Sequence, residues 1–242
     1  MLIVSNISKS YDKPVLHECS FQLDEGDFCV LLGENGAGKS TLLNIVLGVE
    51  KPEKGTVSLA GMSVEQCHHL VSVVSQNQYQ GCVMEMTLMD NLLLCYMITN
   101  TSQFRFTYQY TASITTYIKH SHSNLLESLY KPMKYLSGGQ CQQAMLAMAM
   151  LRKPKLLILD EHTSALDPKK QIALMALTQK EVTKLKLTTL MVTHQLEDAI
   201  RYGNRILILK DGGIVANIYG KDKLKLSKQA LLSYFSQPSY IN

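Results

Sequence analysis

Apolar and polar positions alternate with a two-residue period at the start of the chain. Residues 2–11 and 15–23, the latter with Cys19, Phe21 and Leu23 on one face, predict two strands of an antiparallel layer. At 27–32 the alternation gives way to a continuous apolar run, DFCVLL, as expected of a strand buried on both faces. It ends in Gly33 and leads through a glycine-rich stretch into the helix-like STLLNIVLG, stopped by Gly48. Residues 56–59 and 70–74 read as further strands.

Between 82 and 135 the texture changes. Residues 86–98 predict a helix, and 99–124 are rich in Ser, Thr and Tyr with Arg105 and Lys119 as the only charges. We read 82–135 as an inserted, largely helical subdomain. From Gln140 helix and strand alternate: helix 140–152, strand 155–160, helix 168–184, strand 187–193, helix 195–202, strand 205–210. Such alternation predicts a mainly parallel sheet flanked by helices. Residues 211–213 form a tight turn into a last strand, and Ser227 is placed to cap a final helix through Phe235. The predicted fold is α/β, with a parallel-sheet core, an N-terminal antiparallel β layer and a helical insertion.

Composition narrows the function. With 46% apolar and 18% charged residues over 242 positions, the chain can bury a substantial core. A net charge of +4 without a Lys/Arg cluster points away from a nucleic-acid partner. The six cysteines show no CxxC spacing and suit free thiols of a reducing compartment. No secretory signal opens the chain, and the longest apolar run, LLLCYMI at 92–98, is too short to span a bilayer. A cytoplasmic protein is expected; if it works at a membrane, another chain does the spanning.

Gly33-Glu34-Asn35-Gly36-Ala37-Gly38-Lys39-Ser40 satisfies GxxxxGK[ST], with Thr41 next, between a buried-type strand and a helix. Glycines let successive backbone N–H groups converge on phosphate oxygens, and the helix adds its positive end. Lys39 is suited to the β- and γ-phosphates and the Ser40 hydroxyl to Mg²⁺. A chance match arises on the order of once in a hundred chains of this length, so nucleotide binding is the expectation. At 155–161, KLLILDE ends an apolar run in two acids. Asp160 suits a metal reached through water and Glu161 a general base, although alone the pair could equally cap the next turn.

LSGGQ at 136–140, LLILDE and then TSALD at 163–167 resemble the nucleotide-binding subunit of ABC-type ATPases. Seven pieces come in that family's order, over nearly the whole chain: Tyr11, the loop at 33–40, Gln76, LSGGQ, the acidic strand end, TSALD and His194. The resemblance implies a single ABC ATPase domain, with 1–81 and 136–242 as a RecA-like core and 82–135 as the helical subdomain. It implies ATP and Mg²⁺ as cofactors, with Tyr11 stacking on adenine and Gln76 (or Gln78 or Gln80, in SQNQYQ) touching Mg²⁺ and water. His194 is then the γ-phosphate contact, beside Lys39 and Glu161 in catalysis. Ser137, Gly138, Gly139 and Gln140, with Asp167, contact ATP held by a second copy of the chain. Two ATP molecules are sandwiched in a head-to-tail dimer.

Further partners follow from the resemblance: integral membrane permease subunits, and an extracytoplasmic binding protein indirectly, with no nucleic acid. The chain would sit peripherally on the inner face of the cell membrane. Two positions depart from the family. Cys141 stands where Arg, Lys or Gln commonly follows LSGGQ, which implies a weaker contact to nucleotide. His162 replaces the proline of DEPT, and DEHT looks like a subgroup of importers that use a lipoprotein-type binding protein, some assigned to aromatic amino acids. Readings from other classes are a soluble ABC ATPase of translation or repair, and a phosphate-loop kinase or GTPase.

Overall fold

A computed structural model describes residues 1–77, 81–99 and 107–236. The alternatives Gln78 and Gln80 lie outside these residues. In chain order the first elements are β1 (Leu2–Ser10), β2 (Pro14–Leu23), β3 (Phe28–Leu32), α1 (Lys39–Val46), β4 (Lys54–Leu59), β5 (Met62–Ser63) and β6 (Val71–Val74). Then come α2 (Leu88–Thr99), α3 (Thr107–Ser121), α4 (Gly138–Leu151), β7 (Leu156–Asp160) and α5 (Pro168–Leu185). The chain continues through β8 (Thr188–Thr193), α6 (Leu196–Arg201), β9 (Arg205–Lys210), β10 (Gly213–Tyr219), α7 (Gly220–Leu224) and α8 (Lys228–Ser236).

The chain divides into two compact units, the first made of Met1–Val71 and the chain from Val182 on, the second of Ser72–Glu181. The first unit holds an antiparallel sheet in the order β2-β1-β4-β5. Its register pairs apolar with apolar: Leu2 faces Leu23 on one side and Leu59 on the other, and Val4 faces Phe21 and Val57. The inward side chains Cys19, Phe21 and Leu23 are buried, as the alternation predicts. A second set of strands runs β10-β9-β3-β8, with β3 parallel to both β8 and β9. All five residues of β3 and all six of β8 are buried, which explains their unbroken apolar runs. Truncating one of these side chains, Leu31→Ala for instance, should cost about 2–5 kcal/mol.

The second unit carries β7 with β6 beside it, and helices α2, α3, α4 and most of α5. Helix α2 packs against both α3 and α4. Buried Asn91, on α2, bonds Val83 in both directions: Val83 N donates to Oδ1 at 2.7 Å, and Nδ2 donates to Val83 O at 3.0 Å. These two hydrogen bonds fix the chain that leads into α2.

Several boundaries differ from the sequence expectation. Helix α4 begins at Gly138, two residues before the expected start, because Ser137 rather than a later residue caps it. Residues 62–70 form the short β5 and two single-turn helices, which carry no apolar periodicity. The final helix follows the expectation: Ala230 N donates to Ser227 Oγ at 3.1 Å.

Candidate functional site

In the first unit, β3 and β8 lie side by side with Leu32 opposite Thr193. The residues that follow, Gly33 and His194, therefore leave neighbouring strand ends, where parallel sheets place their ligands. A cleft of about 450 Å³ is lined by Gly33, Glu34, Asn35 and His194, with Leu196, Leu232 and Phe235. His194 is exposed, and its turn is set by Gln195 N donating to Thr193 Oγ1 at 3.0 Å.

The loop from Gly33 to Gly38 needs its glycines. A Cβ on Gly33 would lie 2.7 Å from the Leu209 carbonyl oxygen. Gly38 has φ +99°, and a Cβ there would meet Leu16 at 2.8 Å. Lys39 is only 8% exposed, and its ammonium donates to Gly33 O at 2.8 Å and Glu34 O at 2.9 Å. The loop thus closes around its own cation, the charge an anionic phosphate requires. Ser40 is exposed in the first turn of α1, and Thr41 beside it is half-buried.

Tyr11 is 58% exposed yet held in place. Its hydroxyl donates to the two Glu50 carboxylate oxygens at 2.5 and 2.6 Å, and Lys9 Nζ lies 5.4 Å from the ring centroid. Lys9 and Glu50 pair at 3.1 Å. The Tyr11–Glu50 bond keeps the phenol proton bound more tightly than usual and the carboxylate more acidic. Glu50 had no local sequence signal, because it lies 39 residues from Tyr11 and meets it only in the folded chain; Lys9, two residues before Tyr11, is its sequence neighbour.

In the second unit, β7 delivers Asp160 and Glu161 at its carboxyl end, both half-buried. Glu161 has φ +44°, a left-handed conformation uncommon for a residue with a side chain. It is held there by Ser164, whose N–H and hydroxyl both donate to Glu161 O, at 3.0 and 2.8 Å. His162 is buried, with Nε2 lacking a hydrogen-bond partner, and burial lowers its pKa to about 4. Strand β6 runs out through Ser75 to an exposed Gln76, and Gln142 Nε2 of α4 donates to Ser75 O at 3.1 Å.

The LSGGQ stretch is a helix start. Gln140 N donates to Ser137 Oγ at 3.3 Å and Ser137 N donates to Gln140 Oε1 at 3.1 Å, a reciprocal cap. Ser137, Gly139 and Gln140 line a cleft of about 420 Å³ with Lys170 and Lys180 of α5. Asp167 caps α5 by accepting from Lys170 N at 3.1 Å, and it pairs with Lys170 Nζ at 2.8 Å. That ammonium holds the Asp167 carboxyl below its usual pKa. The stem of Lys170 lies over Gly139, 3.0 Å from where a Cβ would stand. Lys170 was missed in the sequence, although a lysine three residues after a capping Asp is a recognisable pair. Cys141 is 2% exposed, so the residue that departs from the family pattern is directed into the unit instead of offering its side chain to a nucleotide.

The family model described as ABC transporter matches residues 16–164. The chain belongs to the ABC transporter family. It is an ATP-binding cassette, an ATPase whose turnover is coupled to transport. It is 35% identical to the tyrosine transport ATP-binding protein of Clostridioides difficile over 97% of this chain and 98% of that protein. It is 32% identical to a phosphonates import ATP-binding protein of Halobacterium salinarum, over 91% of this chain and 79% of that one. Among solved structures, an ATP-binding subunit of an ABC transporter superposes with a TM-score of 0.79 at 25% identity, covering 98% of this chain and all of the other. A dimeric bacterial ABC transporter cassette does so at 0.77 and 25% identity, over 90% of this chain and 98% of that chain. The α/β architecture is that of ABC cassettes.

Proposed function

We propose that this cassette is the ATP-hydrolysing subunit of a membrane importer, acting as a head-to-tail dimer of two copies bound to separate permease subunits. The observation that carries the reading is the unequal completeness of the two glycine motifs. The loop at 33–40 encloses its own lysine, whereas the helix start at 137–140 contains no cation within its motif. A phosphate contact by Ser137, Gly138, Gly139 and Gln140 is complete when another copy supplies Lys39 and its loop, with Asp167 crossing alongside.

In each composite site Tyr11 stacks on the adenine, and the loop amides from Gly33 to Thr41 with Lys39 hold the phosphates. The fit to a divalent cation rests on donor chemistry: Ser40, Gln76 and Asp160 offer a hydroxyl, an amide oxygen and a carboxylate, all hard oxygen donors. When bound, Mg²⁺ supplies charge neutralisation of the β- and γ-phosphates. Glu161 accepts the proton of the water that attacks the γ-phosphorus, and His194 orients the γ-phosphate. The products are ADP and inorganic phosphate. ATP binding closes the dimer, product release reopens it, and the permease follows.

No helix among the described residues is long and apolar enough to cross a membrane, so the spanning belongs to the permease in this reading. The chain is then peripheral on the cytoplasmic face of the cell membrane, and an extracytoplasmic binding protein delivers the cargo. The DEHT pattern and the likeness to a tyrosine transport protein support an aromatic amino acid as cargo. Affinity capture from solubilised membranes tests the assignment. A polytopic protein should co-purify and raise ATP turnover; capture of ribosomes in its place would overturn the transport reading.

A further inference from the structure

All six cysteines are thiols, and two of them meet. Cys82 opens the segment pinned by Asn91 through Val83, and Cys141 lies in the first turn of α4. Their side chains are hydrogen-bonded to each other, and Cys82 Sγ also lies 3.6 Å from Met84 Sδ. Cys82 is half-buried and reachable from solvent, while Cys141 is buried. The hydrogen bonding of Val83 and the packing of α2 on α4 hold this pair together.

We propose that Cys82 and Cys141 are a peroxide-responsive thiol pair, whose disulfide ties the chain after Gly81 to the first turn of the LSGGQ helix and slows ATP turnover. The chemistry of the two sulfurs is divided suitably. The hydrogen bond from Cys141 lowers the Cys82 thiol below its usual pKa, which favours the thiolate there. The same bond, with burial, makes Cys141 keep its proton. A half-buried thiolate beside a protonated resolving thiol is the arrangement of a redox-sensing cysteine.

The steps balance with hydrogen peroxide as oxidant. The Cys82 thiolate attacks one peroxide oxygen; an S–O bond forms, the O–O bond breaks and hydroxide leaves, taking up the proton that Cys82 had released. The Cys141 sulfur then attacks Cys82, forming S–S as the S–O bond breaks, and the Cys141 proton departs with that oxygen as water. Peroxide is reduced to two waters while two thiols become one disulfide. A covalent link at Cys141 restrains the helix start that the proposed composite site must bring to a partner's ATP, so the effect on turnover rests on that function. The bond formation does not.

The test treats the purified full chain with hydrogen peroxide and reads mass and turnover separately. Non-reducing peptide mapping should find the Cys82 peptide joined to the Cys141 peptide, with loss of two hydrogen atoms, and dithiothreitol should reverse it. Turnover should fall roughly tenfold or more, as expected when a positioning element is displaced, and recover on reduction. Cys82→Ser and Cys141→Ser should keep basal turnover and lose the response. Absence of the linked peptide, a link from Cys82 to the nearby Cys95, or sulfinic acid on Cys82 without a link would overturn the pairing. A formed link with unchanged turnover would overturn the restraint. An untreated chain without turnover would count against the proposed function alone, because the mass readout stands independently.

Discussion

Gly33–Ser40 and Leu136–Gln140 both set glycines ahead of a helix, but they are built for different tasks. In the first, Gly38 takes φ +99°, a side chain at Gly33 would strike the Leu209 carbonyl, and Lys39 is drawn inside by two loop oxygens. In the second, Ser137 and Gln140 cap a regular helix, and Lys170, whose stem lies over Gly139, belongs to α5 and pairs with Asp167. One motif carries its own charge in a bent loop; the other offers a helix start. A glycine motif is therefore informative through what encloses it. The difference turns a sequence resemblance into a claim about how many copies one site needs.

The largest effects should come from the chemistry. Glu161→Gln should lower phosphate release about a thousandfold, within the range for loss of a general base, while nucleotide binding by fluorescence titration stays intact. Near-normal release would remove Glu161 from the catalytic role. Lys39→Ala should instead abolish binding by the isolated chain, and the contrast with Ser137→Arg sharpens the comparison. Ser137→Arg should leave single-chain nucleotide binding unchanged and cut turnover on the order of a hundredfold, as removal of one preorganised contact does. If Ser137→Arg also lost nucleotide binding by a single chain, the two motifs would not be separable.

A smaller effect separates His162 from the glycine motifs. Its folded pKa of about 4 lies below the unfolded value, so the neutral form is favoured by folding. Its contribution is fully present above the unfolded value of about 6.5 and is lost as pH falls through about 4. Urea denaturation should show stability falling over that window. His162→Gln should flatten the fall by up to on the order of 3 kcal/mol. An unchanged slope would mean that His162 is not held neutral. The smallest effect belongs to Lys170→Ala, which removes the ion pair with Asp167 and keeps the backbone cap: turnover should drop about twofold to fivefold, in keeping with an exposed ion pair. A null effect would detach α5 from the start of α4 in function.

Much of this was legible in the sequence because residue type and spacing are jointly demanded. A loop that curls around phosphate needs Gly33, Gly36 and Gly38, and strands buried on both faces need runs such as FCVLL and TTLMVT. Ser137-to-Gln140 carried a further legible signal, since S-x-x-Q is a capping pair, and it moves the helix start to Gly138. What stayed hidden depends on tertiary proximity. Glu50 reaches Tyr11 and Lys9 only in the folded chain, about forty residues on, and Cys82 meets Cys141 only after α2 packs on α4. No local pattern announces such pairs. The Glu161 backbone at φ +44° was likewise unreadable, because the residue type alone favours another conformation.

The composite site can be tested by mixing two inactive variants. Lys39→Ala copies lack the loop's cation, and Ser137→Arg copies lack the helix-start contact; neither alone should turn over ATP appreciably. A mixed dimer holds one complete site, made from the loop of one copy and the helix start of the other. At equal amounts, phosphate release should recover to about a quarter of the unmutated rate, since half of randomly formed dimers are mixed and each has one intact site of two. A mixture as inactive as its components, at concentrations where dimers form, would contradict the head-to-tail account.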